Sequence, residues 1–135
     1  YLRHNSRSYI FSASNTPAAT AAARAALEIM KSEPERIQHL WDMTHYSLKR
    51  FRDLGFEIGH TSTPIIPLYV RDMEKTFMVT KMLFDEGVFV NPVVPPACSP
   101  NDTLIRFSLM ATHTQEQIDI AIDKLATCFK KLSII

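Results

Sequence analysis

Near its end the chain reads Leu104-Ile105-Arg106-Phe107-Ser108-Leu109-Met110-Ala111-Thr112-His113-Thr114, an alternating apolar run that leads into a helix start. Successive side chains of a strand point to opposite faces, so the alternation predicts a strand over Thr103–Met110. Thr103, Ile105, Phe107 and Leu109 would lie on one face, and Leu104, Arg106, Ser108 and Met110 on the other. Thr114, followed three residues later by Gln117, forms a capping box. The stretch therefore predicts a strand followed by an amphipathic helix.

Two more apolar runs precede this stretch, and each predicts a strand. Pro64–Val70 and Val88–Val94 are rich in β-forming residues, and a helix capped by Asp72 is predicted between them over Met73–Glu86. Pro67 cannot donate a hydrogen bond to a neighbouring strand. The first run is therefore expected at a sheet edge or at a bulge.

The first third of the chain reads mainly as helix. Residues 1–12 are mixed polar and aromatic and predict an irregular entry, whereas Thr16-Pro17 starts an alanine-rich helix over Ala18–Met30. A capping box at residues 32–35 predicts a second helix ending near Gly55. The predicted order is helix, helix, strand, helix, strand, strand, helix, which is an α+β arrangement with a small sheet and helices on one face.

The composition excludes several classes of function. The chain has 135 residues, 46% of them hydrophobic, and a net charge of +1, which is ordinary for one globular domain. A nucleic-acid-binding protein usually has a basic excess, so none is expected here. The three glycines are too dispersed for a phosphate-binding loop, which needs clustered glycines.

Cysteines, histidines and termini give further expectations. Cys98 and Cys128 lie far apart and are predicted to be free thiols in a reducing compartment, the cytoplasm. The five histidines have no metal-ligand spacing, so no metal site is expected. No apolar run is long enough to cross a membrane. The chain begins at Tyr1 rather than Met, which suggests a piece of a longer protein.

Arg106 is the residue that most suggests chemistry. It lies in the middle of a predicted strand between apolar neighbours, where a charge needs an anion or a set of carbonyl groups as its partner. A guanidinium binds a carboxylate through two parallel hydrogen bonds, and a strand holds that fork rigidly. The alternative is an edge arginine that reaches solvent or pairs with a nearby acid.

The polar turn Ser12-Ala13-Ser14-Asn15-Thr16 is a second candidate site. Hydroxyl groups beside the free N–H groups of a helix start can bind an anion. Capping and turn formation alone also explain such residues. Residues alone therefore indicate an α+β domain with one suggestive arginine and one candidate anion-binding turn.

Three segments in register add a resemblance: Tyr9–Ala18, Gly87–Pro96 and Leu104–Thr114. Together they resemble the C-terminal part of the α-oxoamine synthases, pyridoxal-phosphate (PLP) enzymes of the class II aminotransferase-like group. The resemblance implies the small domain of a fold-type I enzyme, with a mainly antiparallel sheet. Residues 1–31 would be the end of the large cofactor domain with a linker helix, and residues 32–135 the small domain.

The resemblance also implies roles for individual residues. Arg106 matches the family arginine that binds the amino-acid carboxylate, while Ser12 and Ala13 match the turn that reaches the partner's cofactor phosphate in a homodimer. The loop at residues 95–100 matches one near the substrate entry. None of the lysines has the context of the family's Schiff-base lysine. The chain by itself is therefore expected to be inactive.

The family decarboxylatively condenses an amino acid with an acyl-CoA to give a 3-oxo amine. The sequence of residues 9–14, Tyr-Ile-Phe-Ser-Ala-Ser, favours family members that use serine, at the first step of sphingolipid synthesis. Glycine C-acetyltransferase (2-amino-3-ketobutyrate CoA ligase) and 8-amino-7-oxononanoate synthase share the quoted motifs and stay open. A different class also stays open: a non-catalytic regulatory domain that binds an amino acid through Arg106.

Overall fold

The computed structural model describes residues 1–11 and 15–135, and its contacts divide the chain into two units, Tyr1–Glu35 and Arg36–Ile135. A 3-10 turn at Pro100–Asp102 precedes the last strand. The strands are β1 (Ile65–Tyr69), β2 (Asn91–Val93) and β3 (Leu104–Ser108). The helices are α1 (Leu2–Asn5), α2 (Arg7–Ile10), α3 (Pro17–Ser32), α4 (Glu35–Asp53), α5 (Met73–Asp85) and α6 (Gln115–Lys131).

The first unit is helical from its first residues, so the predicted irregular entry was wrong. Short-range hydrogen bonds explain the difference, because the Asn5 side chain and the Asn5 N–H both donate to the carbonyl of Tyr1. The predicted start of α3 is confirmed: the Thr16 hydroxyl accepts from the N–H of Ala19, and Pro17 is the first helical residue. The sequence pattern therefore located the long helix but missed the two short ones.

Ser32 closes α3, although the sequence predicted that it would open the next helix. Its hydroxyl donates to the carbonyl of Glu28 at 2.9 Å, one turn back along the same helix. Serine hydroxyls commonly bond backward in this way, which competes with their use as a cap. α4 consequently begins three residues later, at Glu35.

The sheet of the second unit is antiparallel with the order β1-β3-β2, as the fold prediction required. The strand predicted over residues 88–94 is shorter than expected, because only Asn91–Val93 joins the ladder. Within β2, Pro92 lies opposite Ile105 and has no N–H to donate. Both outer strands thus carry a central proline, while the uninterrupted β3 occupies the middle.

β1 is an edge strand, which confirms the prediction made from Pro67. The N–H of Val70 donates inward to the carbonyl of Thr103, whereas the N–H of Tyr69 points away and donates to the carbonyl of Glu57. Donor direction alternates along a strand, so Pro67 occupies an outward position where β3 needs no donor. The proline therefore leaves the β1–β3 ladder intact.

One face of the sheet packs on the helices, and the other carries the exposed residues of β3. Phe51 of α4 meets Phe107 of β3 edge-on at 5.2 Å between ring centroids, and Phe56 lies 4.7 Å from Phe129 of α6. Such aromatic pairs add about 0.5–1.5 kcal/mol beyond the area they bury. The core residues that are fully inaccessible include Ile66, Leu68, Val79, Leu83, Ile105, Ile122 and Leu125.

The ends of the helices follow the sequence predictions. Gly55 ends α4 with φ of +84°, and the N–H of Phe56 bonds back to the carbonyl of Phe51, the pattern of a glycine C-cap. The carboxylate of Asp72 accepts from the N–H of Lys75 and starts α5. At α6, Thr114 and Gln117 form the complete reciprocal capping box. Of these caps, the Thr114–Gln117 box fixes the end of the loop that follows β3.

Candidate functional site

Arg106 lies at the centre of the middle strand, opposite Asn91 of β2 and Pro67 of β1. Its backbone is therefore held by neighbours on both sides, which excludes the edge-strand alternative. Its side chain is exposed, so the charge is not buried as the apolar sequence context had suggested. Within residues 1–11 and 15–135 the guanidinium has no hydrogen-bond or ion-pair partner. The sheet thus fixes the backbone of Arg106, while its guanidinium group is available to bind a ligand.

The free end of Arg106 lines a groove of about 580 Å³ in the second unit. The apolar walls include Val88, Phe89 and Ile120. The polar lining consists of Asn91, Arg106, Ser108, His113, Gln117 and Lys124. None of these lining residues is acidic, while Arg106 and Lys124 are cations. The groove is thus suited to a ligand with an anionic group and an apolar body.

His113 is held at two points at the rim between β3 and α6. Its Nδ1 accepts from the N–H of Met110 at 3.2 Å, and its carbonyl accepts from Nε2 of His39 at 2.9 Å. Both hydrogen bonds hold the loop between β3 and α6 in place. The sequence did not predict that the same residue lines the groove with Arg106.

Lys124 is the lysine among the described residues that lines the groove. Its ammonium donates to the carbonyl of Glu86 at the end of α5, with a distance of 2.5 Å. A cation at the C-terminal end of a helix interacts favourably with the helix dipole. Lys124 therefore links α6 to α5 and contributes positive charge to the groove.

Two other arginines of the second unit have their charges neutralised within the fold. Arg71 donates to Glu57 and, at 3.0 Å, to Asp102, and its guanidinium lies 4.8 Å from the Tyr69 ring. The hydrogen bond from Arg71 holds the pKa of Glu57 below its usual value. We call these four side chains the Arg71 clamp; they join the segment after α4, the β1–α5 connection and the turn before β3.

Arg50 has the same kind of role on the helical side. It donates to Asp119 at 2.7 Å and to Asp123 at 2.8 Å, and these bonds join α4 to α6. The hydroxyl of Tyr46 donates to the same Asp119 carboxylate. A hydrogen bond with Tyr46, reinforced by the two aspartates, raises the pKa of Arg50.

The remaining sequence candidates have separate outcomes. Ser12 and Ala13 lie outside the described residues. Both cysteines are free, as predicted; Cys98 donates to the carbonyl of Val93, and burial raises the pKa of Cys128. The described residues contain no group of side chains that could hold a metal ion.

Sequence reasoning missed five polar residues of the groove as site residues: Asn91, Ser108, His113, Gln117 and Lys124. A signal for two of them was present. Gln117 and Lys124 are seven residues apart on α6, a spacing that places side chains on the same side of a helix. Asn91 had no such signal, because only the observed register places it beside Arg106.

Comparison with known proteins assigns the chain to a family. Residues 1–125 match the family described as aminotransferase class I and II. The chain belongs to the class I and II aminotransferase family. The matched residues include β3, which carries Arg106, and most of α6.

Two relatives illustrate the range of similarity. The chain is 68% identical over 135 residues to the serine palmitoyltransferase of Bacteroides thetaiotaomicron, and 38% identical over 135 residues to the 8-amino-7-oxononanoate synthase of Bacillus pumilus. Each alignment covers all of this chain but only 34% of the length of the relative. The much higher identity lies with the first.

A solved structure of the same family confirms the fold class. The high-resolution structure of SPT with a PLP internal aldimine matches with a TM-score of 0.86 at 28% identity, over 99% of this chain and 34% of that one. The antiparallel sheet and its helices thus have a close counterpart in a PLP enzyme. Among the helices that the structure describes, none is both long and apolar enough to cross a membrane.

Proposed function

We propose that this chain is part of a serine palmitoyltransferase, a PLP-dependent enzyme that decarboxylatively condenses serine with an acyl-CoA. The product would be a 3-oxo amine, at the first step of sphingolipid synthesis. In this proposal residues 1–31 belong to the end of the cofactor domain and residues 32–135 form the small domain. The 68% identity to a serine palmitoyltransferase supports the choice of amino acid.

The unpaired guanidinium of Arg106 is the observation that carries the proposal. It is exposed in a groove whose lining contains no acid, and its strand is held on both sides. A carboxylate entering the groove can accept two parallel hydrogen bonds from this fork, which fixes the plane of the carboxylate as well as its position. Arg106 would thus orient the amino acid for reaction.

The residues of the groove fit the substrate side of a PLP site. When bound, the cofactor supplies an electron sink for the carbanion, and the protein supplies orientation and electrostatics. Lys124 is bonded to a backbone carbonyl, which keeps it as a positioned cation. Ser12 and Ala13 are the proposed contacts to the cofactor phosphate across a homodimer, in a cytoplasmic enzyme.

The test uses the complete enzyme that contains this chain, purified with PLP. Its visible absorbance is recorded during separate titrations with L-serine, glycine and L-alanine. A saturable change with serine at the lowest concentration is expected. A preference for alanine would instead favour 8-amino-7-oxononanoate synthase. This enzyme is the second candidate because one such synthase is 38% identical to the chain. Preference for glycine would favour the acetyltransferase.

Failure to bind PLP would overturn the enzyme proposal altogether. In that case calorimetric titration with the same amino acids distinguishes a binding domain from an inactive protein. Saturable, Arg106-dependent binding without a cofactor would support the regulatory-domain alternative.

A further inference from the structure

His113 is held as one tautomer by the backbone around it. A backbone N–H can only donate, so the bond from Met110 requires an unprotonated Nδ1. The neutral ring must then carry its hydrogen on Nε2, the nitrogen on the opposite side of the ring. Among the described residues Nε2 has no hydrogen-bond partner.

The ring is also fixed in position. The carbonyl of His113 accepts from His39 of α4, and Thr114, the next residue, is the N-cap of α6. Because the carbonyl can only accept, Nε2 of His39 carries a hydrogen as well. The loop between β3 and α6 therefore holds a half-buried imidazole with little rotational freedom at the edge of the Arg106 groove.

We propose that the Nε2–H of His113 is a second hydrogen-bond donor to the carboxylate that Arg106 binds. The inference rests on the proposed function, since it assigns a further contact to the same amino-acid substrate. A carboxylate has about four acceptor positions, so it can accept the arginine fork and still accept from an imidazole. His39 is a positioning residue in this arrangement, because it holds the loop and does not contact the ligand.

Two substitutions of His113 separate ligand binding from loop structure. The side-chain oxygen of Asn can replace Nδ1 and accept from Met110, but Asn does not reach the position of Nε2. The longer Gln can place an N–H near Nε2 but cannot also accept at Nδ1. His113→Asn therefore keeps the loop bond and removes the donor, and His113→Gln does the opposite.

The experiment measures the dissociation constant for L-serine from the absorbance titration of the complete enzyme with PLP, using wild type, His113→Asn, His113→Gln and Arg106→Lys. Melting temperature and PLP content are measured for each variant. We expect His113→Asn to weaken serine binding about tenfold, in line with loss of one hydrogen bond to a charged group. Gln should restore most of the affinity.

The pattern of affinities decides the outcome. If Asn binds serine as wild type does while Gln binds weakly, His113 acts only through the loop and the inference is wrong. If Arg106→Lys weakens binding and both His113 variants do not, the proposed function stands and the inference fails. A wild-type enzyme that does not respond to serine would overturn the proposed function itself. Should His113→Gln not fold, His113→Asn alone still tests the donor.

Discussion

The Arg71 clamp and the Arg106 groove each contain an arginine, but the two side chains have opposite surroundings. Arg71 contacts two carboxylates, a carbonyl and an aromatic ring, although 46% of its side chain is exposed. Arg106 has no such partner in the described part of the chain. The two residues lie on the same small sheet assembly, so fold position alone does not decide which one is available to a ligand.

The difference lies in the surroundings that the fold supplies. Glu57 and Asp102 approach Arg71 from two loops, whereas the lining of the Arg106 groove contributes hydrogen-bond groups and a second cation but no acid. An anion-binding site requires a lining without acidic side chains, because an internal carboxylate would compete with the ligand. The comparison therefore predicts that Arg106 serves binding and that Arg71 and Arg50 serve stability.

Removing Arg106 should have the largest effect, and only on binding. In the complete enzyme Arg106→Ala should weaken serine binding about 100-fold, because a bidentate charged contact is lost. Arg106→Lys should be intermediate, since lysine keeps the charge without the fork. The absorbance titration measures both.

Thermal melting is the control for the Arg106 variants. Their melting temperatures should match wild type, because the side chain has no internal partner in the described residues. A large drop in melting temperature together with unchanged serine affinity would reverse the assignment and make Arg106 a structural residue.

Removing Arg50 should affect stability and leave serine binding unchanged. Arg50→Met loses the bonds to Asp119 and Asp123 and should lower the free energy of unfolding by about 1–2 kcal/mol, between the values for exposed pairs and for charged hydrogen bonds. Urea unfolding measures the change. Lys49→Met, at the exposed neighbouring position, is the matched control and should stay close to wild type.

Replacing Thr103, which lies beside the Arg71 clamp, should raise stability. Its carbonyl accepts from Val70 and Arg71, but its buried hydroxyl has no partner among the described residues. Thr103→Val removes the unsatisfied group at nearly constant volume and should add about 1 kcal/mol. Thr103→Ala should instead lower stability, because it leaves a cavity. A destabilised valine variant would mean that the hydroxyl has a partner in solution.

The acid dependence of the Arg71 clamp should be the smallest effect, because solvent screens an exposed ion pair. Arg71 lowers the pKa of Glu57 from its usual value of 4.5, so the pair stabilises the fold above that pH and loses this contribution as pH falls through the folded-state pKa. The stability difference between wild type and Glu57→Gln should therefore shrink below about pH 4.5.

Urea unfolding at several pH values from 7 to 3 measures this difference. Glu86→Gln is the control, since the Glu86 carboxylate makes no ion pair in the described part of the chain. A difference between wild type and Glu57→Gln that stays constant over the whole range would show that the Arg71 bond does not form in solution.

Much of the second unit could be predicted because its signals are local. Caps at Asp72, Gly55 and Thr114 act within a few residues, and the alternation around Arg106 separates the residues of the two faces of β3. The short helices α1 and α2 could not be predicted, because they depend on single backbone and side-chain bonds rather than on periodicity. The length of β2 was overestimated, because apolar composition alone does not indicate where hydrogen bonding between strands ends.

The site was predictable in its centre and not in its surroundings. Arg106 was identified from its position in a strand, but other residues that line the groove come from β2, α6, the segment before β2 and the loop after β3. Their proximity depends on long-range register. The same limit applies to Arg71, whose partners lie 14 and 31 residues away along the chain.

The outer side of β1 has a consequence for how copies of this protein associate. Of its three outward positions, Ile65 donates to the hydroxyl of Thr63, Pro67 has no N–H, and Tyr69 donates to Glu57. An incoming strand would therefore find no free donor along this side. Exposed sheet borders commonly template aggregation, and natural proteins block them with prolines and covering loops. Residues Thr63, Pro67 and Glu57 thus protect this edge of the sheet against amyloid-like growth.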